Sequence, residues 1–112
     1  MKDNFKNTHY TYRFILMPET VGSIAYLSKY HKYLKKNVFA AFNLSCVGDD
    51  RNYSMIESRL ANTISDKALK CQIIKKKKYN IYSFLHRGSD ERQYCSPDID
   101  LPMSTFCRSK FG

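Results

Sequence analysis

The chain lacks a long apolar run, a close cysteine pair, an internal repeat and, above all, acidic residues: ten Asp and Glu stand against nineteen Lys and Arg, a formal charge of +9 in 112 residues. Each shortage excludes something. The longest apolar stretches, residues 14–17 and 38–42, fall far short of the roughly 20 residues that cross a bilayer as a helix. Residues 1–7 are polar and carry no apolar h-region, so no secretory leader is read there. Cys46, Cys71, Cys95 and Cys107 form no C-x-x-C pair, which argues against a zinc ribbon and, without a leader, against a disulfide framework. Reduced thiols acting as small buried hydrophobes are expected, particularly Cys46 in an apolar strand and Cys71 on a helix face. A soluble, cytoplasmic protein with no membrane attachment follows as the expectation.

What is present describes one ordinary domain. Hydrophobic content of 43% with 26% charged residues is globular composition, and nine Tyr with seven Phe supply large apolar areas for a core. A chain of this length buries roughly two-thirds of the surface exposed when unfolded. Residues 1–8 read as a flexible N-terminal segment and 9–112 as the single domain.

Residues 10–17 (YTYRFILM), rich in aromatic and β-branched side chains and stopped by Pro18, read as a strand. A helix follows, capped by Thr20 or Ser23. Ile24, Leu27, His31 and Leu34 lie on its apolar face, and Lys35, Lys36 and Asn37 close it. Residues 38–47 (VFAAFNLSCV) are apolar without alternation, the pattern of a strand covered on both faces. Residues 49–58 read as irregular. Residues 59–77 read as a second helix with Leu60, Ile64, Ala68 and Cys71 on one face. Residues 79–85 read as a third strand, 87–93 as a polar turn, 96–102 as a Pro-bounded segment and 103–107 as a short last strand. The order β-α-β-α-β-β predicts an α/β fold with a mixed, mostly parallel sheet and flanking helices.

In such a sheet, Glu19, Asp49, Asp50, Asp90 and Glu91 each follow a strand-like run, and a parallel arrangement gathers them at one carboxyl edge. Half of the acids would then converge in a basic protein, a pattern expected of a cation site. The lysines read differently. Lys75, Lys76, Lys77 and Lys78 sit at a helix end, where cations meet the macrodipole, and Lys29, Lys32, Lys35 and Lys36 line a solvent face. No nucleic-acid motif is present, the RNP element included, so nucleic acid is not an expected partner.

Three blocks carry a family resemblance: residues 14–30 (FILMPETVGSIAYLSKY), 43–69 (NLSCVGDDRNYSMIESRLANTISDKAL) and 82–103 (YSFLHRGSDERQYCSPDIDLPM). Together they resemble the later part of the aminopeptidase-like domain of proteins linked to bacterial polysaccharide gene clusters, which is similar to the di-zinc aminopeptidase clan. RGSDERQYC with its downstream D-L-P is the most specific block. The resemblance implies part of a zinc-exopeptidase-like three-layer fold, metal-assisted hydrolysis of a peptide bond in the parent family, zinc as cofactor and a peptide or amino-acid-like substrate.

By the same resemblance, Glu19 before the G-S-x-x-Y helix takes the place of the clan's general base or of a zinc ligand. Ser45 stands where the clan's N-L-D-x-V-G carries an Asp ligand, and Asp49 or Asp50 is the candidate substitute. Ser89, Asp90 and Glu91 stand where the clan has S-D-H, making Asp90 and Glu91 candidate metal carboxylates. Arg92 is placed to steady a substrate carboxylate or an oxyanion. His9, His31 and His86 fall in no family ligand position, and the family's upstream His-bearing and D-N-x-S-G segments have no counterpart. Asp98 replaces the Gly before I-D-L-P and holds that turn unaided unless it adopts the left-handed conformation. Two functions therefore stand at this point: a partial zinc-aminopeptidase-like domain with an incomplete metal site, inactive alone, or a non-catalytic binding or homo-oligomerisation module using basic helices and an open sheet edge.

Overall fold

The computed structural model describes residues 8–110. Of the expected flexible segment 1–8, residues 1–7 lie outside the described residues. Among the described residues four strands form one sheet: β1 (Ala41–Leu44), β2 (Tyr53–Ile56), β3 (Tyr79–Tyr82) and β4 (Met103–Cys107). Their spatial order is β1-β4-β2-β3. The pairs β1/β4 and β2/β3 are parallel, and β2/β4 is antiparallel. The fold is thus α/β with a mixed sheet in which two of three pairings are parallel, as the alternation of elements predicts.

Helix α1 (Val21–Asn37) ends in Lys35 and Lys36, and the Val38 N–H closes it onto the Leu34 carbonyl at 2.8 Å. Its Leu27 and Leu34 enter the core with Tyr94, Cys95, Leu101 and Met103. Burying such side chains contributes roughly 1.5–3 kcal/mol each. His31 is half-buried and Ile24 exposed, so the apolar stripe is narrower than its periodicity implies. A 3-10 turn spans Phe84–His86 and a single helical turn, α2, spans Glu91–Tyr94.

The helix expected over 59–77 is a shorter α3 (Ile64–Ile73), which lies between β2 and β3 in sequence. It starts on a capping box: the Thr63 hydroxyl and the Asp66 carboxylate each hold the other residue's backbone N–H. The face it buries is Ser65, Asp66 and Ile73, whereas Leu60, Ile64 and Cys71 are exposed. The expected stripe therefore faces outward, because the cap turns the polar Ser65 and Asp66 onto the sheet.

Three further expectations are corrected. Residues 10–17 form no strand: the described sheet is edged by β1 and β3, and neither pairs with this segment. Residues 53–56, within a stretch read as irregular, form β2, whose Met55 and Ile56 are fully buried. Cys46 is exposed at φ 51°, in the turn after β1 rather than inside a strand. Asp98 adopts φ 71°, the left-handed alternative. No helix among the described residues is long and apolar enough to cross a membrane.

Candidate functional site

Parallel pairing sets Asn43 of β1 beside Thr105 of β4, so both side chains leave the sheet on one face. Glu91, at the start of α2, is fully buried against them. Its Oε2 accepts from Asn43 Nδ2 at 3.0 Å and Thr105 Oγ1 at 2.8 Å. Its Oε1 accepts from the backbone N–H groups of Gly88 at 2.8 Å and Ser89 at 3.1 Å. Burial by itself raises this carboxyl, but the Ser89 and Gly88 amides and the Thr105 hydroxyl outweigh it and hold the group below the ordinary Glu value. Glu91 stays ionised with its acceptor capacity spent inside the protein.

Next to it, Asp90 Oδ1 accepts the Thr20 backbone N–H at 2.7 Å. Thr20 has φ 61° and ψ −65°, and the Val21 N–H reaches back to the Glu19 carbonyl at 2.7 Å. That is a γ-turn with positive φ, a conformation costing a β-branched residue roughly 1–3 kcal/mol. The Asp90 carboxylate holds it, and Glu19, the residue before it, is exposed at the mouth of α1. Gly22 completes the corner, since a Cβ there would sit 2.8 Å from Met17 Cβ. Arg92 is exposed on the next residue of α2.

Asp49 is held elsewhere. It accepts the Ser109 hydroxyl, the Ser109 N–H at 3.2 Å and the Arg51 N–H at 2.9 Å. The Ser109 hydroxyl and then the Arg51 amide hold its carboxyl well below the usual range. The expected gathering at one edge depended on all strands running alike. Here β4 runs against β2, so the carboxyl ends of β1 and β3 point to opposite edges, and no strand precedes Glu19. The structure thus ties the backbone just after Glu19 to the turn that carries Asp90 and Glu91, and leaves Asp49 on its own loop.

The described residues do not fit a zinc centre. Among the described residues no three His, Cys, Asp or Glu side chains come together in a way that could hold a metal ion. Zinc takes three or four such ligands, and the donors around Glu91 already occupy both of its oxygens.

A second buried carboxylate was not singled out from the sequence. Asp66 accepts the Ser58 N–H at 2.7 Å, the Ser58 hydroxyl at 2.6 Å, the Thr63 hydroxyl at 2.7 Å and the Ser104 hydroxyl at 2.6 Å. Burial pushes it up, and these hydroxyls and the Ser58 amide bring it below the ordinary Asp value. It fastens α3 to β4. Thr63 and Asp66 at N-cap spacing were the signal that could have found it.

Comparison with known proteins bears on the family and the fold. A family model described as Domain of unknown function (DUF4910) matches residues 2–112. A Clostridium acetobutylicum protein named as a polysaccharide biosynthesis protein with an aminopeptidase-like domain is 36% identical over 106 residues, 94% of this chain and 24% of that protein. A crystal structure named as a peptidase from Clostridium acetobutylicum superposes with a TM-score of 0.78 at 32% identity, covering 85% of this chain and 22% of that one. The chain spans about a quarter of the length of these relatives. The resemblance carried by residues 14–30, 43–69 and 82–103 holds, and the fold is peptidase-like.

Proposed function

The chain belongs to the DUF4910 family, and on that premise we propose that it is a carboxylate-bearing portion of an aminopeptidase-like domain which does not hydrolyse peptides by itself. The observation that carries this reading is the state of Glu91: buried, ionised and satisfied by four donors. Such a carboxylate sets the shape of a site rather than performing chemistry in it. Glu19 and Arg92 are the exposed groups of the corner. Glu19 suits the role of a base toward water, and Arg92 that of an anchor for a peptide carboxylate, once the remaining groups of a peptidase site are supplied. Hydrolysis on zinc belongs to the parent family and not to a centre assembled by these residues. The cysteines, all unpaired among the described residues, support residence in a reducing compartment such as the cytoplasm.

The test is metal content after purification, together with turnover of amino-acid anilides before and after zinc addition. Metal far below one per chain and no turnover are expected. Stoichiometric zinc with turnover abolished by Glu19→Gln overturns the reading.

One observation favours the second reading, a binding or homo-oligomerisation module. Strand β1 is a sheet edge, and its Phe42 and Leu44 are 47% and 67% exposed on one face. An unpaired edge with an apolar face recruits pairing partners. Light scattering across a concentration series distinguishes the two readings: a defined dimer supports the module, and a monomer at all concentrations removes it.

A further inference from the structure

Three segments distant in sequence bring cations to one end of the β2/β3 pair. Arg51 comes from the loop before β2, Lys76, Lys77 and Lys78 from the turn between α3 and β3, and Arg108 from just beyond β4. Parallel pairing places Tyr53 beside Tyr79, and the antiparallel pairing of Ser54 with Cys107 brings the residue after β4 alongside Tyr53. The Arg108 guanidinium lies 4.0 Å from the Tyr53 ring centroid and Lys76 Nζ lies 5.1 Å from it. The Tyr53 N–H donates to the Lys78 carbonyl at 3.3 Å. A shallow open groove runs here, lined by Arg51, Asn52, Lys77, Lys78, Tyr79 and Asn80.

The helix-end explanation covers Lys75 and its neighbours on the chain but not Arg51 or Arg108, which loops deliver to the same place. Gathering like charges costs folding free energy, and such clusters focus a field that attracts anions. Asp49 offsets one of these cations, through Arg51 at 3.5 Å, and is itself held by Ser109. Two buried polar atoms at this end, Arg108 Nε and Asn52 Oδ1, have no hydrogen-bond partner among the described residues. Arginine forks and lysine ammonium groups match carboxylate and phosphate oxygens.

We infer that this groove binds a linear polyanion through its closely spaced oxyanions. Its openness suits a polymer lying across it rather than a small molecule enclosed by it. Base stacking is not the means of recognition: the Tyr53 ring is already covered by Arg108 and Lys76, and Tyr79, 44% exposed, leaves a single open ring in the groove lining where stacking of successive bases uses two or more. Carboxylates of an acidic glycan and phosphates of a polyphosphate offer this same oxyanion chemistry to the groove.

The experiment is calorimetric titration of the whole chain with oligogalacturonate and with inorganic polyphosphate, each at two salt concentrations. Single-stranded RNA of matched charge is a third arm. Lys77→Glu with Lys78→Glu is compared with Lys32→Glu and Lys36→Glu on α1, an equal charge change at exposed lysines elsewhere. Binding of one or both non-nucleic polymers, weakened about tenfold or more by the groove pair with a salt slope shallower by about 2, and changed less than about threefold by the α1 pair, supports the site. The polymer that binds more tightly identifies the source of the oxyanions. Equal losses from both pairs would show attraction by net charge alone and overturn it. So would binding of neither polymer, or RNA binding more tightly than both.

Discussion

Replacing Glu91 by Gln tests whether this acid holds the fold or awaits a ligand. The amide oxygen of Gln can keep the Gly88 and Ser89 N–H groups, now as neutral bonds. The amide nitrogen faces the Asn43 amide donor, so that bond is lost, while the Thr105 hydroxyl can turn and accept. Losing charge assistance on the surviving bonds and leaving one buried donor unpaired costs several kcal/mol, offset in part because a buried charge is removed. The net is roughly 2–3 kcal/mol of destabilisation. In a domain of this size that lowers Tm by about 8–12 °C. Thermal and urea unfolding followed by far-UV circular dichroism, without added metal, give the number. A metal ligand waiting in an open site would cost little when neutralised. A Tm within about 2 °C of the parent would therefore refute the assignment of Glu91 as an internal acceptor.

Acid should destabilise the protein through the same groups. Asp66 and Glu91 have folded-state pKa values below their ordinary 3.8 and 4.5, so their stabilisation is complete above those values and is lost as pH falls further through the folded ones. Urea midpoints should hold between pH 7 and about 5.5 and fall below about 4.5, less steeply in Glu91→Gln; a flat profile to pH 3 contradicts this. Of the four thiols, exposed Cys46 and Cys71 should react quickly with a chromogenic disulfide at pH 8. Buried Cys95 and Cys107 should react only on unfolding, burial having pushed Cys107 up to about 11; four equal rates would contradict the burial. Gly22→Ala should cost about 1–3 kcal/mol through the Met17 contact, whereas Thr20→Gly should be neutral or stabilising by about 1 kcal/mol as the γ-turn strain is released. Paired unfolding curves of the two variants check both signs.

Some elements could be read from the chain because local and tertiary preferences agree there. Helix α1 has apolar residues at helical spacing and lysines at its end, and β4 begins directly after Pro102, which marks its start. Residues 10–17 have the same strand propensity yet no partner strand, and strand propensity reports fit to a neighbour more than any property of the backbone. Strand β2 is only four residues long and follows Asp49, Asp50, Arg51 and Asn52, so its signal is hidden by the turn residues before it. The tie of Asp90 to the corner before α1 spans seventy residues and has no local signature. The motif G-S-D-E placed Asp90 and Glu91 together as important acids, but only the third dimension separates a carboxylate that holds a turn from one that is buried among donors. The basic groove was hidden for a similar reason: its cations belong to three segments, and along the chain only the lysine run stands out.

The strand that joins the two halves of the sheet is also the one synthesised last among those described. Until residues 103–107 have left the ribosome, β1 has no strand partner among those described and the β2/β3 pair lacks its third strand, and Ala41 must then close on Met103 across a loop of about 60 residues. Assembly of the sheet therefore waits on a single keystone strand. A nascent chain stalled before that point would present two unfinished edges to the chaperones of the cell.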